Sequence, residues 1–162
     1  MAKSAPKTTR ATQALDRAGF RYGLHAYDYD PEAPRIGLQA AEALGVDPGR
    51  VLKTLMAAVD GRPVCLLVAS DREVAMKRVA AAFAGKSAAM LKPAEAERLT
   101  GYHVGGISPL GQKRSFPTAI DAGSLGDPGA EIHVNGGGRG LQIRLTEADL
   151  VAALKALVVP LT

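Results

Sequence analysis

The stretch VLKTLMAAVDGRPVCLLVA, Val51 to Ala69, decides how the rest of the chain is read. Val51–Val59 and Pro63–Ala69 are apolar runs of strand length, and Asp60-Gly61-Arg62 between them is a turn signal. The segment therefore predicts a β-hairpin. One residue breaks its pattern. On a strand of period two, Lys53 shares a face with Val51, Leu55, Ala57 and Val59. Such a lysine either lays its stem along apolar surface and snorkels to water, or is aimed into a cavity where its ammonium meets an anionic or developing oxyanion group.

Helices and strands alternate outward from the hairpin. Thr12–Ala18 has helical spacing and stops at Gly19; Phe20–Tyr29 alternates as a strand, and Asp30-Pro31 breaks it. A short helix over 38–44 ends at Gly45, and Asp47-Pro48 opens one further turn. After the hairpin, Ser70 and Glu73 have the spacing of a capping box for a helix reaching Phe83. Lys92-Pro93 starts another helix that ends at Gly101. Strands are expected near 118–121, 131–135 and 141–145, with Thr146 opening a final helix. Interspersed elements with at least one hairpin predict an α+β fold: a mixed, mostly antiparallel sheet or partly closed barrel flanked by helices, not a doubly wound one.

Composition narrows the classes. The chain has 162 residues, one cysteine, no tryptophan, four tyrosines and three phenylalanines, so its core rests on Ala, Val and Leu. That length suits one domain, expected over residues 11–162 behind a flexible basic leader, 1–10, that has no apolar stretch and does not read as a signal peptide. One cysteine excludes a disulfide scaffold and suggests a reducing, cytoplasmic setting. No apolar run nears the ~18 residues of a membrane span. The net charge of +4 is compatible with a polyanionic partner without establishing one.

Two glycine-rich segments draw attention. Gly105-Gly106-Ile107-Ser108-Pro109-Leu110-Gly111 is either a tight structural turn or a loop that brings backbone N–H groups close to a carbonyl or phosphate oxygen. Asn135-Gly136-Gly137-Gly138-Arg139-Gly140 has the look of a phosphate loop, but a strand follows it where such loops require a helix N-terminus. A hairpin with one basic side chain is expected instead. Cys65 reads as a core thiol, and His25, His103 and His133 lack metal-ligand spacing, so no metal or cofactor is expected. Lys113, Arg114 and Arg139, near the glycine segments, are candidate phosphate contacts.

Taken together, His25-Ala26-Tyr27-Asp28-Tyr29-Asp30-Pro31, Val51-Leu52-Lys53-Thr54-Leu55 and TGYHVGGISPLGQK (100–113) resemble the YbaK family, relatives of the editing insertion domain of bacterial prolyl-tRNA synthetase. The resemblance implies a deacylase that removes cysteine from mischarged Cys-tRNA(Pro), in transient complex with the synthetase, as a cytoplasmic monomer. It makes Lys53 the essential pocket residue, aided by backbone N–H groups at Gly105 and Gly106. Tyr27 and Thr54 become pocket residues, and the loop through Ile107, Ser108 and Pro109 holds the terminal aminoacyl adenosine. Cysteine-specific members carry Val-Ser-Gly-Gly where this chain has Val134-Asn135-Gly136-Gly137, so Asn135 and Gly136 face the question of which amino acid is accepted.

The implied chemistry is physically coherent. A pocket shaped for proline cannot exclude smaller cysteine or alanine well, and a second sieve is the remedy. The ester is activated, and the cysteine thiol itself can attack the carbonyl and leave as a thiolactone, with effective molarities of about 10⁵ M or more when well oriented. Two other readings stand beside it: an Ala-tRNA(Pro) or broader small-residue deacylase, and a non-catalytic module that docks on tRNA or a synthetase.

Overall fold

A computed structural model describes residues 8–32 and 35–162. In chain order the elements are α1 (Arg10–Ala18), β1 (Gly23–Ala26), α2 (Ile36–Leu44), β2 (Leu52–Val59), β3 (Arg62–Ala69), α3 (Met76–Ala82), β4 (Ala88–Met90), α4 (Pro93–Thr100), β5 (Thr118–Asp121), β6 (Glu131–Asn135), β7 (Leu141–Thr146), α5 (Glu147–Leu154) and β8 (Leu157–Val159). The fold is α+β, as expected, but its strands form two sheets and no closed barrel. One has the order β1-β7-β6 and is antiparallel throughout; the other has the order β4-β2-β3-β5-β8. In the latter, β4-β2-β3 is antiparallel and β3-β5-β8 parallel. A parallel bridge from Val51 to His133 joins the two sheets.

The hairpin forms in the expected register, Leu52 opposite Ala69 and Val59 opposite Arg62. Its turn is left-handed at Asp60 (φ 49°) and Gly61 (φ 81°), the mirror-image geometry that matches strand twist. The Asp60 carboxylate accepts from the N–H groups of Lys86 and Ser87, and those bonds hold it below the usual carboxylate range. One apolar cluster, including Leu15, Leu52, Met56, Cys65, Leu67, Ile120, Ile132, Ile143 and Leu150, fills the space between the sheets and α1 and α5. A second, with Leu66, Val79, Ala119 and Leu161, lies on the α3 side of the larger sheet. Among the described residues no helix is long and apolar enough to cross a membrane.

Two expectations need correction. The strand over 20–29 shrinks to Gly23–Ala26, because β7, its only partner, ends opposite Ala26; Phe20 and Tyr22 pack on the core instead. The helix expected from Ser70 starts at Met76, capped at Ala75 with no side-chain bond. Residues 1–7 lie outside those described, but Thr9 caps α1 in a reciprocal bond with Thr12, and Arg10 is already helical. The three-residue strands β4 and β8 were not expected.

Candidate functional site

The hairpin leaves half an edge open, and the site is built there. β4 covers β2 only at Ala57–Val59, with Leu91 N–H donating to the Met56 carbonyl just beyond. Toward Leu52 no strand pairs with residues 52–55 on that edge among the described residues, and only the bridge from Val51 to His133 lies beyond them. A cavity of about 480 Å³ opens there, lined by β2 residues 51–55, by Ser70 and Glu73 after β3, by Val104, Gly105 and Ile107, by Asn135 and Gln142 of the small sheet, and by Arg35. Lys53 is thus a cavity lysine: its side chain is 23% exposed and its Nζ lies 3.2 Å from Glu73 Oε1. Thr54 lines the same space, and its buried hydroxyl has no hydrogen-bond partner.

The glycine loop forms another part of the wall and is held by three side chains. Glu97 Oε2 accepts from Val104 N–H at 2.9 Å, Arg139 Nε donates to the Val104 carbonyl at 3.0 Å, and Asn135 Nδ2 donates to the Gly105 carbonyl at 3.2 Å. Gly105 has a φ of 89°, and a Cβ there would lie 2.6 Å from the Tyr29 hydroxyl. The positive φ is what requires glycine, since the Tyr29 hydroxyl is the far end of a side chain that can move aside.

Asn135 does more than line the wall. Its Oδ1 accepts from Gly137 N–H (2.7 Å) and Gly138 N–H (3.2 Å), and its Nδ2 also reaches the Gly138 carbonyl at 3.2 Å. All four contacts of its amide are internal. They tie the β6–β7 turn to the glycine loop.

Of the residues expected in the site, Lys53, Thr54, Gly105, Ile107 and Asn135 converge on the cavity. The others lie beside it. Gly106 is buried against Gly138 and Arg139, and its N–H donates to the His103 carbonyl, so that N–H is already engaged. Ser108 is fully buried, its hydroxyl accepting from Leu110 N–H. Pro109 lines a separate cleft between α1 and α5. Gly136 packs against Leu141, and its carbonyl accepts from the Thr9 hydroxyl. Tyr27 packs with Ala40, Ala41 and Val51 behind the cavity; burial pushes its phenol up, and its hydroxyl has no partner.

The candidate phosphate contacts also separate. Arg139 is a loop clamp that also sits over the Tyr29 ring at 5.8 Å. Arg114 lies over Phe116 at 5.2 Å and borders the α1–α5 cleft, while Lys113 is exposed beside Gly101.

Sequence reasoning missed Arg35, Ser70, Glu73, Val104 and Gln142. The Ser70 hydroxyl donates to the Val51 carbonyl at 2.6 Å, so it locks the end of the hairpin and caps no helix. Gln142 lies opposite Asn135 in the β6–β7 register; it is 4% exposed and its Oε1 has no partner. The register of the hairpin was the signal that could have found it.

Among the described residues the lining contains neither histidine nor cysteine, and they place no nucleophile–base pair of the protease kind in the cavity. His25 and His133 do meet, with ring centroids 5.8 Å apart, but outside that lining. Cys65 is buried, and burial pushes its thiol up to about 12. What the described lining offers is one ammonium, one guanidinium, one carboxylate, unpartnered polar oxygens and a glycine loop at close range.

An α+β domain with a lysine-bearing cavity under a clamped glycine loop is the class these features define. Residues 30–153 match the family described as aminoacyl-tRNA editing domain. A protein of Enterococcus faecalis named "Putative Cys-tRNA(Pro)/Cys-tRNA(Cys) deacylase EbsC" is 34% identical over 113 residues, 69% of this chain and 68% of that protein. A proline–tRNA ligase of Acidithiobacillus ferrooxidans is 32% identical over 92 residues, 57% of this chain but 16% of the ligase. Among solved structures, one described as a "putative trans-editing enzyme for prolyl tRNA synthetase" superposes with a TM-score of 0.83 at 26% identity, covering 99% of both chains. This chain belongs to the aminoacyl-tRNA editing domain family.

Proposed function

We propose that residues 11–162 form one editing domain that removes cysteine from mischarged Cys-tRNA(Pro), acting in trans as a monomer in the cytoplasm, in transient complex with prolyl-tRNA synthetase. The observation that carries this reading is the Lys53 ammonium on the wall of a cavity of about 480 Å³ that has no histidine or cysteine in its lining. Such a site is equipped to stabilise charge and orient an ester, not to supply a strong nucleophile. A substrate that brings its own nucleophile suits it. The cysteine sulfur attacks its own ester carbonyl, the carbon–sulfur bond forms, and the bond to the ribose oxygen breaks. The thiol proton ends on that ribose oxygen, and a thiolactone leaves.

The ammonium of Lys53 faces the developing oxyanion, a contact of the kind that contributes about 10²–10³-fold to kcat. Gly105 and Ile107 bring the glycine-loop backbone to the other side of the ester. The match to a proline–tRNA ligase supports tRNA(Pro) as the carrier.

The test is a deacylation panel with tRNA(Pro) carrying Cys, S-methyl-Cys, Ala, Ser or Pro. Turnover of the cysteine ester, none of its S-methyl form, and loss of at least 10²-fold in a folded Lys53→Ala variant are expected. Hydrolysis of the S-methyl or alanine ester at the cysteine rate would exclude the thiol route. tRNA binding that weakens with salt and is accompanied by no turnover would make the chain a docking module.

A further inference from the structure

The geometry points to Glu73 as the anchor for the free α-ammonium of the aminoacyl ester, so that the site selects esters with an unblocked amine and discriminates against N-acylated ones. The inference rests on the deacylase reading and adds to it a substrate feature and a residue. Among the described residues three charged side chains line the cavity, Arg35, Lys53 and Glu73, and Glu73 is the one carboxylate among them. An aminoacyl ester brings a further cation, an amine that is largely protonated near neutral pH. Without a carboxylate it would enter a cavity already holding two positive groups.

Lys53 and Glu73 stand side by side, Nζ 3.2 Å from Oε1. They present a donor next to an acceptor. An α-amino ester presents the complement on adjacent carbons: the carbonyl oxygen as acceptor and the ammonium as donor. Laid antiparallel on the pair, the carbonyl oxygen meets Lys53 and the ammonium meets Glu73, and each charge keeps a partner of opposite sign.

The backbone around Glu73 holds it there for no other evident purpose. The helix after it starts at Met76 and takes no bond from it. The segment is tied on one side by Ser70 N–H and Oγ to the Val51 carbonyl, and on the other by Ala75 N–H to the Leu161 carbonyl. Arg72 between them pairs with Asp121 at 2.9 Å. The Glu73 side chain is 79% exposed and bonds to Lys53. A carboxylate on a fixed backbone at a cavity mouth is available to a ligand without reorganisation.

The experiment compares one amino acid in two forms, the free aminoacyl-tRNA(Pro) ester and its N-acetylated counterpart, on the wild-type chain, Glu73→Gln and Glu73→Asp. The wild type is expected to prefer the free amine by about tenfold or more in kcat/KM, the range of one partly exposed charge-assisted contact. Glu73→Gln should lose that preference by slowing the free ester alone, and Glu73→Asp should recover part of it. Equal slowing of both esters would make Glu73 a mere support for Lys53 and overturn the proposal, as would no change in either. A wild type inert on every ester overturns the deacylase reading and this one with it; wild-type turnover with an unaltered preference in Glu73→Gln overturns this one alone.

Discussion

Replacing Asn135 by alanine tests how the cavity wall is held. Its amide makes four contacts, at 2.7, 3.2, 3.2 and 3.2 Å, with Gly137, Gly138 (twice) and Gly105. A net hydrogen bond contributes about 0.5–1.5 kcal/mol, so complete loss of all four would cost about 2–6 kcal/mol. The turn at 137–138 is partly exposed, and water replaces part of what its groups lose. About 2 kcal/mol is therefore expected, which for a chain of this length lowers Tm by about 4–8 °C. Serine can still accept from Gly137 N–H but is too short to reach the Gly105 carbonyl. It should recover about half of the stability and little of the activity, since the glycine loop stays untethered at Gly105. Calorimetric melting and single-turnover deacylation of the wild type, Asn135→Ala and Asn135→Ser measure both effects. A Tm within 2 °C of wild type for alanine, or serine behaving as alanine does, would refute the reasoning.

Other outcomes follow from buried groups. Cys65, its thiol held near 12 by burial, should resist thiol reagents at pH 8 until the chain unfolds, and Cys65→Ala should keep wild-type kcat; rapid labelling of the folded chain would contradict this. Burial, with His25 and Arg144 nearby, lowers His133 below its ordinary 6.5, so below that pH the unfolded chain binds more protons than the folded one. Stability should therefore fall as pH drops through and below 6.5, and His133→Gln should flatten that slope in urea titrations. Asp121, 1% exposed, binds Arg72, Ser124 and Leu161 N–H, each at 2.9 Å. Asp121→Ala should destabilise by about 3 kcal/mol or more and speed amide exchange at Leu161; a loss under 1 kcal/mol would show that the buried network contributes little.

What was legible in the sequence was what depends on neighbours in the chain. The Val51–Ala69 hairpin, the helix ends at Gly19, Gly45 and Gly101 and the β6–β7 turn are written in local patterns, and each formed where expected. Ser70 and Glu73 show the opposite case. Their spacing fits a capping box, but the carbonyl of Val51 lies close across the hairpin end and takes the Ser70 hydroxyl, leaving Glu73 free for Lys53. A local pattern lost to a partner that only the fold supplies. Strands β4 and β8 have too few residues to carry a period and exist because β2 and β5 offer open edges. For the site, the lysine and the glycine loop were readable, whereas Gln142 depends on register and Arg35 on how the chain folds back. The N–H of Gly106 was readable as a donor, but not that the His103 carbonyl takes it.

The bridge from Val51 to His133 also bears on the order in which the molecule comes together. Each hairpin, 52–69 and 131–146, closes over a short loop, an event of microseconds. Between them the backbone of the described residues is linked at one bridge, and β1 reaches β7 by pairs running from Gly23–Arg144 to Ala26–Leu141, a far more distant closure in the chain. The cavity takes walls from both hairpins and from the glycine loop between them, so it exists only after the slowest of these closures. On refolding from denaturant, strand signal should return before ester cleavage, and the lag between them measures the docking of the two sheets.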